Sequence, residues 1–303
     1  MYLDFFGLKQ PPFSVTPDPD FLYLTPGHRE ALAQLVYGVQ ERKGFIVLTG
    51  DIGTGKTTLL HSLRRRLDGN VIASFISNST LPFEGILEYM LSDFGISKSG
   101  ESPTQRLIAL NNFLIERFRS GQNTILIVDD AQNLDPATLE QIRLLSNFET
   151  STDKLLQILL VGQPELRAKL QLPGLRQLRQ RIGLSCSIPP LTAEETGAYI
   201  RSRLRIAGAR DPKLFTDSAV NRIAKYAAGI PRVVNILGDH CLLFGYTEQQ
   251  RRIDRDIVDR AIEYLEEGHR PARRSIRLTL PRFAVGAALT ALLAGISILV
   301  LLR

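Results

Sequence analysis

The stretch GFIVLTGDIGTGKTT, residues 44–58, decides the fold. Phe45–Thr49 (FIVLT) is a short apolar run that ends at a glycine, which reads as a buried strand. GDIGTGKT (50–57) has the spacing G-x-x-x-x-G-K-[ST], and a helical pattern runs from Gly55 to about Leu67. Strand, glycine-rich loop and helix in that order form a P-loop. Glycines let successive backbone N–H groups turn inward around phosphate oxygens, and the N-terminus of the helix adds a favourable dipole for the anion. The candidate nucleotide contacts are Gly50, Asp51, Ile52, Gly53, Thr54, Gly55, Lys56, Thr57 and Thr58. Lys56 is expected to reach the β and γ phosphates and Thr57 to offer its hydroxyl to Mg²⁺. The implied ligand is a nucleoside triphosphate, Mg-ATP.

Further elements downstream fit the same site. ILIVDD (125–130) is an apolar strand ending in two acids, at the edge of an open α/β sheet where ligands sit. Asp129 is expected to hold Mg²⁺ through water and Asp130 to orient the attacking water. LLQILLVGQPEL (155–166) is a strand that carries Gln163 to that edge, where a neutral amide can touch the γ-phosphate or the water. In LRQLRQRI (175–182), Arg176, Arg179 and Arg181 are candidates to reach a neighbouring subunit's γ-phosphate, with a basic surface loop as the rival reading. In GIPR (229–232), Pro231 opens a helix and Arg232 stands where it can reach back to the nucleotide.

Working outward, strands are expected at 71–77, 124–128, 155–161 and 184–188. Helices are expected from Pro26 to about Arg42 and at 83–94, 104–119, 136–148 and 165–170. Strands apolar throughout that alternate with helices imply an α/β fold with a parallel sheet covered on both faces. From Thr192 the pattern changes to helices at 193–207, 216–228, 232–245 and 255–266, with Thr192, Thr216 and Asp254 as N-caps. Residues 2–24, rich in aromatics, proline and aspartate, read as an extended, turn-punctuated arm. The expected division is 1–44 for the arm and first helix, 45–191 for the P-loop α/β domain and 192–268 for an all-helical domain. A basic linker at 269–282 and a membrane helix at 283–302 complete it.

Charge locates that last segment. Of 37 basic residues, Arg270, Arg273, Arg274, Arg277, Arg282 and Arg303 lie beyond residue 269 with no acid among them, which accounts for the net charge of +6. The 31 basic residues that remain are matched by 31 acidic ones, so residues 1–269 offer no global attraction to a polyanion and nucleic acid is not an expected partner. Phe283–Leu302 (FAVGAALTALLAGISILVLL) has no charge and the length of a bilayer-spanning helix, and its arginine-rich flank is expected to stay cytoplasmic. Cys186 and Cys241, the only cysteines, show no zinc spacing and read as reduced core residues. His28, His61, His240 and His269 form no HExxH, so a histidine-held catalytic metal is not expected.

Taken in order, P-loop, VDD, the glutamine strand, the arginine run and GIPR resemble the AAA+ ATPases. The opening FFGL…PPFSVTPDPDFLYL, then GFIVLTGDIGTGKTT, VDDAQNL, LLVGQPEL and GIPR look like the general secretion pathway protein A (ExeA-like) group, over about residues 2–268. The resemblance implies a parallel-sheet AAA+ domain, a helical lid and Mg-ATP hydrolysis. It implies residues near Phe13, Tyr23 and His28 beside the adenine, Arg181 as the finger acting in trans within a homo-oligomer, and Arg232 as the lid sensor. It further implies a single-pass protein of the bacterial inner membrane, with the ATPase part facing the cytoplasm and partners in envelope secretion, export or pilus assembly. A DNA-acting ATPase of the transposition-helper kind and a nucleotide-dependent scaffold with little hydrolysis are the alternative expectations. Two departures stand out. Most of the group pair the strand-end Asp with Glu, whereas here the second acid is Asp130, one methylene shorter. Secretion-type members continue past the membrane span into a periplasmic peptidoglycan-binding part, which here is expected from a separate partner or beyond Arg303.

Overall fold

In the computed structural model, residues 1–16, 18–67, 69–96, 102–211 and 213–267 are described. The helices are α1 (Tyr2–Phe6), α2 (Pro26–Gln40), α3 (Lys56–Arg66), α4 (Phe83–Asp93), α5 (Pro103–Arg119), α6 (Pro136–Leu145), α7 (Pro164–Lys169), α8 (Arg176–Gln180), α9 (Ala193–Ile206), α10 (Asp217–Ala227), α11 (Pro231–Thr247) and α12 (Arg255–Glu267). The strands are β1 (Phe45–Gly50), β2 (Val71–Ile76), β3 (Asn123–Val128), β4 (Gln157–Gly162) and β5 (Ile182–Ile188). Met1–Ile262 forms one compact unit; Glu263–Arg303 forms a second, of which only the last turn of α12 is described.

The five strands make one parallel sheet in the order β2-β3-β4-β1-β5. Period-two alternation sends β1, β3 and β4 side chains to both faces, and both faces are buried. Phe45, Val47, Leu126, Val128, Ile158 and Leu160 pack with the apolar faces of α4, α5 and α6. Ile46, Leu48, Ile125, Ile127, Leu159 and Val161 pack with those of α2 and α3. That is why these strands read as unbroken apolar runs rather than as alternating ones. The expected caps form: Thr216 accepts from the Ala219 N–H at 3.2 Å, and Thr192 makes a capping box with Glu195.

Two short helices depart from the sequence reading. Tyr2–Phe6 is helical rather than extended, because tertiary contacts hold it: the Tyr2 hydroxyl donates to Asp239 Oδ1 at 2.7 Å, Phe5 packs edge-on against Tyr246, and Gly7 closes the helix at φ +66°. The arginine run contains the single-turn helix α8, held by the buried Leu175 and Leu178. Among the described residues no helix is long and apolar enough to cross a membrane. The expected linker at 269–282 and span at 283–302 lie outside the described residues.

Gly229 packs the turn before α11 against Leu191, just past the end of β5. It adopts φ +76°, and a Cβ there would stand 2.2 Å from the Leu191 carbonyl oxygen, whose residue donates its N–H to Gly229 at 2.8 Å. Gly229→Ala adds left-handed strain and a backbone clash together, and is expected to cost roughly 2–4 kcal/mol. The urea midpoint of the intact chain measures it.

Candidate nucleotide-binding site

β1 ends at Gly50, and the loop turns through Gly53 (φ +79°) and Gly55 (φ +99°) into α3, whose first residue is Lys56. A cavity of about 520 Å³ opens over this turn, a size suited to a small-molecule ligand. Ile52 to Thr58, Asp129, Asp130, Gln163 and Arg232 all line it, as do Tyr23 and His28. Thus a loop after β1, the end of β3, the start of α7, the start of α11 and the N-terminal arm converge at the carboxyl edge of the sheet. Gly50 and Asp51 do not line this cavity. They border a smaller one of about 160 Å³ with Thr49, Pro164 and Arg167.

Lys56 is 8% exposed and its Nζ donates to the carbonyls of Gly50 at 2.8 Å and Asp51 at 2.9 Å. Burial lowers its pKa, opposed by the charges of Asp129 and Asp130. Thr57 Oγ1 donates to Asp129 Oδ2 at 3.2 Å. Burial raises the Asp129 pKa, opposed by hydrogen bonds from the Asp130 N–H and the Thr57 hydroxyl. Hydroxyl and carboxylate thus face the cavity side by side. A Mg²⁺ ion that keeps several waters and phosphate oxygens needs only one or two such protein oxygens, so the pair fits it. Asp130 takes φ +51°, a conformation aspartate tolerates better than most residues. It is exposed, and its Oδ1 accepts from Gln132 Nε2 at 3.0 Å.

The start of α11 sits directly on the loop. The Arg232 N–H donates to the Gly53 carbonyl at 3.3 Å, and a Cβ on Gly53 would lie 2.7 Å from Arg232 Cβ. Gly53 is therefore needed both for its backbone angle and for this close approach.

Arg181 lies elsewhere. It immediately precedes β5, at the sheet edge opposite Gly50, and its Nη1 donates to Ser146 Oγ at 2.6 Å and Asn147 Oδ1 at 2.7 Å. A seven-residue strand is about 20 Å long, so Arg181 does not reach the cavity of its own chain. Of the arm residues, Phe13 itself does not line the cavity. It is 1% exposed, packs edge-on with Phe215 and covers Gly238, and the cavity is lined by its neighbours Ser14 to Thr16 instead. Tyr23 borders the cavity with its ring 5.9 Å from that of Tyr199.

His28 braces the P-loop. Its Nε2 is 2.9 Å from the Thr54 carbonyl oxygen and its Nδ1 2.7 Å from Thr25 Oγ1. A carbonyl only accepts, so Nε2 carries the proton and Nδ1 accepts from the Thr25 hydroxyl. Burial pushes the imidazole pKa below its ordinary 6.5, opposed by the Thr54 hydrogen bond. The unfolded chain therefore takes up this proton first. The stabilising contribution is present above about pH 6.5 and is lost as pH falls from there through the folded value. Between pH 7 and 5, the melting temperature of the parent is expected to fall more than that of His28→Gln.

Two further lining residues, Arg203 and Asn235, belong to no sequence motif. Arg203 is 6% exposed and lines the cavity. It donates to the carbonyls of Pro12 and Ser14 and to the Tyr199 hydroxyl, and its guanidinium lies 4.6 Å from the Phe21 ring centroid. Asn235 accepts from the Tyr199 hydroxyl at 2.9 Å and donates to the Ser14 carbonyl at 3.3 Å. The available signal was position: Tyr199, Ile200, Arg203 and Leu204 share one helical stripe, so this arginine occupies a core position.

Fold and cavity together define a nucleotide-binding P-loop protein of the AAA+ class. The AAA domain family matches residues 39–170. General secretion pathway protein A of Aeromonas hydrophila is 39% identical over 254 residues, which cover 84% of this chain and 46% of that protein. The chain belongs to the AAA+ ATPases related to general secretion pathway protein A, and spans about half the length of that relative. Among solved structures, Cdc6p from Pyrobaculum aerophilum superposes with a TM-score of 0.63 at 18% identity, over 82% of this chain and 71% of that one. The RuvB Holliday junction branch migration motor of Thermotoga maritima gives a TM-score of 0.53 at 19% identity, over 78% and 68%. These two likenesses concern the fold.

Proposed function

We propose that the chain binds and hydrolyses Mg-ATP at this cavity, and that it does so as a membrane-anchored ATPase supporting assembly or energising of an envelope secretion, export or pilus system. The observation that carries the first half is the convergence of Lys56, Thr57, Asp129, Asp130, Gln163 and Arg232 on one cavity at the carboxyl edge of the sheet. The kinship with general secretion pathway protein A supports the second half.

In this reading Lys56 leaves the Gly50 and Asp51 carbonyls to pair with the β and γ phosphates. The N–H groups of the first turn of α3, which have no partner within the helix, bind phosphate oxygens. Thr57 and Asp129 hold Mg²⁺, which when bound neutralises charge on the phosphates. Asp130 orients the attacking water and takes its proton as the bond to the γ-phosphorus forms and the bond to the ADP oxygen breaks. Gln163 contacts the γ-phosphate or that water. Residues 192–268 serve as a lid, with Arg232 reporting the nucleotide state from the start of α11. Arg181, distant from its own cavity, acts on the γ-phosphate of a neighbouring copy in a homo-oligomer. Residues 283–302 anchor the chain in the bacterial inner membrane, with the ATPase part in the cytoplasm.

The balanced charge of residues 1–269 argues against a DNA-acting ATPase. Phosphate release by the full chain in detergent, with and without duplex DNA at physiological salt, separates these readings. Turnover unaffected by DNA is expected. A rise of several-fold on adding DNA contradicts the envelope assignment, and Mg-ATP binding without phosphate release turns the chain into a nucleotide-dependent scaffold.

A further inference from the structure

Gln132 stands on the single turn Ala131–Asn133 that follows β3, and both ends of its amide are engaged. Nε2 donates to Asp130 Oδ1 at 3.0 Å, and Oε1 accepts the backbone N–H of Gln163 at 3.0 Å. An acceptor on one side and a donor on the other fix the amide's orientation, because a flipped amide would set donor against donor and acceptor against acceptor. Gly162 makes room for it: a Cβ there would lie 2.7 Å from Oε1. The turn itself is pinned, with the Asn133 N–H donating to the Asp130 carbonyl at 2.9 Å and Lys169 Nζ donating to the carbonyls of Gln132 and Leu134. Asp130, by contrast, is exposed, and without a partner its carboxylate would be distributed over the staggered χ1 wells.

We propose that Gln132 is a positioning residue. It holds the Asp130 carboxylate in one orientation at the cavity and couples that carboxylate to the junction of β4 and α7, which carries Gln163. A displacement of the Gln163 backbone by an arriving γ-phosphate is then passed to Asp130 through one amide, so the two groups that meet the water and the phosphate move together. This rests on Asp130 serving the attacking water.

The test compares Gln132→Met and Gln132→Glu with the parent full chain. Met fills the same volume without a donor or acceptor. Glu keeps the acceptor for the Gln163 N–H and loses the donor to Asp130. Both are expected to lower kcat for Mg-ATP roughly 10- to 100-fold, as a displaced reacting group does. The Kd for Mg-ATP is expected to stay within about threefold, since the lost interaction belongs to the transition state. A role in packing alone would leave kcat intact in Gln132→Met. Either variant keeping the parent's kcat, or losing affinity in proportion to rate, overturns the assignment. A parent that binds Mg-ATP without turnover overturns the hydrolytic reading, and the positioning role with it. A parent that turns over alongside fully active variants overturns the role of Gln132 alone.

Discussion

Lys56→Ala is expected to weaken Mg-ATP binding roughly a hundredfold. The ammonium group is buried beside the P-loop, carried on the first residue of α3 and held by two loop carbonyls, within the field of Asp129 and Asp130. A triphosphate brings charged acceptors that compete well for this donor, because a hydrogen bond between two charged groups is about twice as strong as one between neutral groups. Truncating one partner of such a buried pair costs about 3 kcal/mol, which corresponds to roughly a hundredfold in Kd. The folded state should suffer much less, since the lost bonds to Gly50 and Asp51 are offset by relief of a buried charge. Titration with a fluorescent ATP analogue, with melting temperature as the control, checks both parts. A variant that keeps the parent's affinity would mean that phosphates do not sit over α3.

Asp130→Asn is expected to separate binding from turnover. Asparagine keeps an oxygen to accept from Gln132 and fits the left-handed backbone, so the loop should hold its shape. It cannot take a proton from water, and loss of a general base lowers kcat by about 10²–10⁴-fold. The Kd for Mg-ATP should barely change, because Asp129 and Thr57 are untouched. Asp130→Glu, the residue most of the group carry, should retain turnover, the strain of a longer side chain at φ +51° being of order 1–2 kcal/mol. Single-turnover phosphate release distinguishes the outcomes. Parent-like rates in Asp130→Asn would remove Asp130 from the chemistry.

The parts of the site that sequence made legible are those written in short range. The P-loop, the two acids ending β3 and the proline opening α11 are each encoded within a few residues, and the sheet followed from apolar runs buried on both faces. Contacts between distant segments were not legible. Tyr2–Phe6 becomes a helix because Asp239 and Tyr246 wait for it on α11. Phe13 and Ser14 are adjacent, yet one enters the core against Phe215 and the other borders the cavity, a choice the arm's composition does not encode. Arg203 is one of several arginines on α9, and only the fold brings the arm's carbonyls at Pro12 and Ser14 to it. Gln132 lies in the VDDAQNL motif, but its meaning comes from the Gln163 N–H, contributed by another strand's end.

The most direct test of the central claim is a crystal structure of the chain with Mg²⁺ and a non-hydrolysable ATP analogue. The triphosphate is expected over Gly53–Thr58, with Lys56 Nζ moved from the Gly50 and Asp51 carbonyls to the phosphates, Mg²⁺ beside Thr57 and Asp129, and the base between the arm at Ser14–Leu24 and the start of α11. A nucleotide bound elsewhere, or a Lys56 still on its two carbonyls with the analogue present, would contradict it.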